Sequence, residues 1–180
     1  MKLYKRYFAP FFWWLTAFIL LGAGVFAYVS NNRDIVAFSR VLGVAMFVAG
    51  VLNLCVCYAG HHTIHGVRWL EADAVTTMLL SMFPLFNDII FPDVIPFFFG
   101  VWELFSGILK LSDTAELKHD NMKCWRGFAI ISAFELISGT MSLLKPVEIA
   151  VGFNHVIGII FFVHSFGFAL KAIMYRELVK

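Results

Sequence analysis

Charge is scarce in this 180-residue chain: Asp, Glu, Lys and Arg together make up 14% of it, while 61% is hydrophobic and 17% aromatic. Soluble globular domains carry roughly 25% charged residues and 45–50% apolar ones, so a water-facing surface of ordinary composition is excluded. The chain also lacks the signatures of common catalysts. It has no Gly-x-Ser-x-Gly elbow, no phosphate-cradling glycine loop and no His-Glu-x-x-His pair, and therefore neither an enzyme nor a cofactor is expected. No basic stripe or RNA-reading motif accompanies the net charge of +2, which excludes nucleic acid as a partner. The long apolar runs have no alternation of period two, which removes a membrane β-barrel.

What remains is a series of apolar runs separated by short charged clusters. Six are present: Pro10 to Val29, Val41 to Gly60, Ala74 to Phe91, Val94 to Leu109, Gly127 to Leu144 and Ile149 to Leu170. A helix of about 20 apolar residues crosses ~30 Å of hydrocarbon. The sequence thus predicts an all-α membrane protein of six transmembrane helices, residues 1–180 forming a single transmembrane domain. The first run exceeds the ~7–15 residues of a signal-peptide core and no convincing cleavage site follows it, so it is expected to stay in the mature protein.

If the six helices alternate, one face receives Lys2, Lys5, Arg6, Arg68, Lys110, Lys118, Lys123, Arg126, Lys171, Arg176 and Lys180, and the other only Arg33, Arg40 and Lys145. The positive-inside bias makes the first face cytoplasmic, with both termini on it. Trp13, Trp14, Trp69 and Trp125 fall at the same ends, where interfacial rings prefer to lie. The opposite face collects Asp34, Asp88, Asp93 and Glu148, acids that would meet external pH first.

A repeat runs through these helices. The stretch from Leu42 to Leu52 recurs as Phe99 to Leu109 and again as Ile157 to Gly167, at offsets of about 57 and 58; Trp14, Trp69 and Trp125 recur at about 55 and 56. The six spans are therefore read as three tandem helical hairpins, about 10–60, 69–111 and 124–174. Gly43/Gly50, Gly100/Gly107 and Gly158/Ser165 lie seven apart on one face of each returning helix, where small residues let backbones approach. Pro92 and Pro146 fall in the second and third outer turns. On these glycines and prolines the chain resembles the HdeD-like family of small bacterial membrane proteins, although Ser165 replaces the last glycine and the first turn has no proline. The resemblance implies an inner-membrane protein linked to acid resistance, with no catalytic residues to carry over.

Four ionisable residues interrupt the runs: Glu103, Glu135, His155 and His164. An acid at mid-helix costs ~2.5–3.5 kcal/mol on insertion scales and normally faces the bundle interior. Neither glutamate has a lysine or arginine inside its run, so one or both are expected to be protonated near neutral pH, with His164, Ser106, Ser138 or Thr140 as partners. Two readings follow, a proton relay through Glu103, Glu135, His164 and His155, or hydrogen bonds that hold the helices in register. A second cluster, Cys55, Cys57, His61, His62 and His65, has ligand types suited to zinc or copper, and His61 and His65 are four apart. Gly60 breaks the helix before it and no standard zinc spacing matches. Hence no metal is expected, and the thiols are read as small helix residues and the histidines as headgroup-level residues. The expected partners are the lipid bilayer and a second copy of the chain, through the glycine-lined faces.

Overall fold

The computed structural model describes residues 2–30, 35–60, 64–86, 94–144 and 152–179. They form helices α1 (Lys2–Val29), α2 (Ile35–Gly60), α3 (Val67–Phe86), α4 (Val94–His119), α5 (Trp125–Ser142), α6 (Phe153–Ile173) and the short α7 (Tyr175–Leu178). The chain is an all-α bundle of six long helices. Phe8–Val29, Val36–Gly60, Val94–His119 and Asn154–Ile173 are each long and apolar enough to cross a membrane. α3 and α5, with 20 and 18 residues, are the two shorter and less apolar ones. Asp34, Asp88, Asp93, Glu148, His61, His62, Pro92 and Pro146 lie outside the described residues.

The helices pack in chain order into a closed ring. The most extensive contacts join α2 to α3, α4 to α5 and α6 back to α1; looser ones join the two helices of each hairpin. The three strong interfaces are built alike, because small residues bring the backbones together. A Cβ on Gly43 would meet Pro84 and Leu85, one on Gly100 would meet Ser142, Leu143 and the Gly139 carbonyl, and one on Gly158 would meet Tyr28 and the Gly24 carbonyl. Gly50 faces Ala74 and Met78 as Gly107 faces Glu135 and Leu136. The glycine faces are thus covered by helices of the same chain.

These contacts correct the register of the outgoing helices. Tyr28, Leu85 and Leu143 face the equivalent glycines, so the outgoing helices keep the offsets of about 57 and 58 of the returning ones. The tryptophan spacing of about 55 and 56 is not the repeat: Trp14 is exposed, and Trp13 is the ring that points inward. Interfacial preference, which is satisfied anywhere near the helix end, placed the tryptophans without fixing their register.

Inside the ring, Phe99, Trp102 and Phe161 pack ring on ring, Phe99 and Trp102 each 5.5 Å from Phe161. Outside it, Phe18, Leu79, Phe105, Ile130 and Phe166 are exposed, which suits a surface facing lipid. At the end carrying both termini the chain after α6 turns back as a strap. The His65 N–H donates to the Leu178 carbonyl at 2.8 Å, Ile64 bridges to Val179, and Ile64 and Leu178 are both buried.

Candidate functional site

On α4, Glu103, Ser106, Lys110 and Asp113 are spaced by three, four and three, which sets them along one helical stripe. His164, Phe168 and Lys171 do the same on α6, and all of these stripes face inward. α5 adds Glu135 and Ser138, and α3 adds Asp73 and Thr77. The result is a column of polar side chains in the bundle interior, next to the Phe99–Trp102–Phe161 cluster and extending toward the strap.

At its centre His164 and both glutamates come together. His164 Nδ1 lies 2.8 Å from Glu103 Oε2 and 3.6 Å from Glu135 Oε1. The Ser138 hydroxyl donates to Glu103 Oε1 at 3.0 Å. The Lys110 ammonium is bonded to Glu135 Oε1 and sits 3.4 Å from His164 Nε2. On the other flank Ser106 lies 3.2 Å from Nε2 and donates to Asp73 Oδ1. Trp102 covers the imidazole, its ring centre 4.3 Å away, and donates its own N–H to Thr77 at 3.1 Å. Glu103 and Glu135 are wholly buried and His164 is 1% exposed.

Hydrogen accounting constrains the protons. Nε2 lies between the Ser106 oxygen, whose hydrogen goes to Asp73, and the Lys110 ammonium, which can only donate. Nδ1 faces Glu103 Oε2 at 2.8 Å, a distance that requires a proton between them.

Three ligand-type atoms of Glu103, Glu135 and His164 lie within 4.8 Å of one another. The set could by type hold a divalent cation, but the Lys110 ammonium already neutralises Glu135 there.

Toward the strap, Lys171 lies over the Phe168 ring at 4.8 Å, and its ammonium makes no hydrogen bond among the described residues. The same holds for Asp113 Oδ1 and Glu135 Oε2. Asp113 packs beneath Gly66, whose φ of +68° is the left-handed turn that starts α3; a Cβ there would fall onto the carboxylate. In the first repeat the position of Lys110 is held by Asn53, which accepts from the Trp13 indole N–H at 3.2 Å and donates to the Leu70 carbonyl. The charged column thus belongs to the second and third repeats.

Sequence reasoning brought out Glu103, Glu135 and His164, which converge. Ser106 and Ser138 join them as named partners, whereas Thr140 is exposed and bonds its own helix at the Leu136 carbonyl. His155 stands apart, packed edge-on against Tyr28 at 4.5 Å. The expectation that the glutamates have no cation nearby is overturned. Lys110 and Lys171, assigned to the basic face by their places at the ends of apolar runs, are 3% and 1% exposed inside the bundle, since α4 and α6 continue past those runs. Asp73, one residue before the third apolar run, likewise lies within α3. The spacing of Lys110 from Glu103 and of Lys171 from His164, seven residues in each case, was the available signal.

The cysteine–histidine segment does not assemble among the described residues. Cys55 is exposed and Cys57, about 200° further round the helix, is buried. His65 instead bonds Asp120 at 3.0 Å. Among known proteins, neither the curated sequences nor the solved structures yield a match. Residues 15–86, from within α1 to the end of α3, match a family described as a short repeat of unknown function (DUF308).

Proposed function

We propose that this chain is a six-span protein of the inner membrane, both termini cytoplasmic, acting without enzymatic chemistry as an acid- or stress-responsive element of the bilayer. Its sensing part is the cluster of Glu103, His164, Lys110 and Glu135. The observation that carries this reading is the 2.8 Å contact between Glu103 and His164, wholly buried and continued through Ser106 to Asp73. Buried ionisable groups are costly in a membrane, and a bundle needing only helix register could use hydroxyls and amides at less cost, as the first repeat does with Asn53. The resemblance to HdeD-like proteins, supported by the family match over residues 15–86, supplies the acid-stress setting.

A second reading is favoured by the continuity of the same network: a proton-coupled transporter or channel using Glu103, Glu135 and His164. Purified protein in vesicles separates the two. Infrared difference spectra between pH 8 and pH 5 should show a carboxyl group changing protonation, and Glu103→Gln should abolish that change. Proton flux across the vesicle that is lost in both Glu103→Gln and Glu135→Gln would establish transport. Spectra identical in wild type and Glu103→Gln, with no flux in either, would leave only an interhelical clamp.

A further inference from the structure

At the end of the bundle where α4 gives way to α5, a concave site of about 470 Å³ is lined by Lys118, Asn121, Met122, Lys123, Trp125 and Arg126. Three of the six carry positive charge. Lys118 Nζ and the Arg126 guanidinium both lie over the Trp125 ring, 5.1 Å and 5.7 Å from its centre, so the cations are gathered around one interfacial indole. The nearby acids have other partners. Glu116 accepts from the Trp69 indole N–H at 2.8 Å, and Asp120 is bonded to His65, with His119 beside it.

What lies below the site matters as much. On α5, Arg126 begins an exposed stripe that continues with Ile130, Phe134, Ile137 and Met141, at steps of three and four. On α4, Lys118 tops a matching exposed stripe formed by Ala115, Leu111, Ile108 and Phe105. The two helices are packed on each other. Each thus presents a hydrocarbon track that ends in a cation, and the cations meet at one cavity.

We propose that this cavity binds the headgroup of an anionic phospholipid, with acyl chains lying along the exposed faces of α4 and α5. Charge complementarity selects an anion, and the two apolar tracks select an anion attached to hydrocarbon over a free phosphate. The site is separate from the buried cluster and does not depend on the proton reading.

The test uses the whole chain purified in detergent, probed with phosphatidylglycerol, phosphatidylcholine and glycerol 3-phosphate, and read by retained lipid in native mass spectra and by thermal shift. Phosphatidylglycerol should be retained and should raise the melting temperature; the other two probes should do neither. The variant K118Q/K123Q/R126Q should bind phosphatidylglycerol roughly a hundredfold more weakly, with an unchanged melting temperature in the absence of lipid. R68Q/R176Q, which removes exposed cations elsewhere at the same end, should bind as the wild type does. If the triple variant does not fold, R126Q alone should weaken binding about fivefold. Equal retention of phosphatidylcholine, a full shift from glycerol 3-phosphate alone, or undiminished binding by the charge variants would overturn the site.

Discussion

Lys110 holds the least replaceable position in the interior, because its ammonium is the partner of a carboxylate with no exposure to solvent. Removing one member of a buried pair leaves an unpaired charge, at a cost of about 3–5 kcal/mol. Lys110→Met should therefore lower stability by that amount in detergent melts, and adding Glu135→Gln should recover most of it. Additive losses in the double variant would show that the two side chains do not act as a pair. Asp120 behaves differently, being exposed at the basic end. Hydrogen bonds from His65 and then His119 hold its carboxyl below the usual carboxylate range. A depressed carboxylate stabilises the fold above its unfolded pKa of about 3.9, and that contribution is lost as pH falls through the folded value. Melting temperatures of wild type and Asp120→Asn should thus differ at pH 6 and converge as pH falls through the folded value. A gap that persists at the acid end would place the effect elsewhere.

Among the helices, tolerance to added volume should follow the ring interfaces. Gly100 sits where a Cβ would be 2.9 Å from Ser142 Cβ and 3.0 Å from the Gly139 carbonyl, both fixed parts of α5, whereas a Cβ on Gly22 meets nothing within 4 Å. Gly100→Leu should therefore destabilise by about 1–3 kcal/mol through overpacking. Gly22→Ala should be neutral or gain up to about 1 kcal/mol from helix propensity. Equal melting temperatures for the two variants would mean that α4 and α5 are not in close contact. The same element explains what the sequence concealed. Long uncharged runs made the helices legible, and a lone acid within a run made Glu103 and Glu135 legible. Lys110, Lys171, Asp73 and Asp113 are set where apolar runs fade, and there a hydropathy pattern cannot tell a loop from a helix that continues with one polar stripe turned inward. Only the seven-residue spacing of Lys110 from Glu103 and of Lys171 from His164 carried that information.

Across the whole molecule, two of the three equivalent interfaces join helices that follow one another in the chain, α2 with α3 and α4 with α5. The third joins the last long helix to the first. Neighbouring pairs can form as soon as both members have been made. Gly24 of α1, whose added Cβ would strike Phe162 and approach the Gly158 carbonyl, has its partner on α6, five helices later. During synthesis the glycine face of α1 must therefore stay uncovered until α6 has been made. The bundle closes only when α6 arrives, and any product cut short before it carries an open seam.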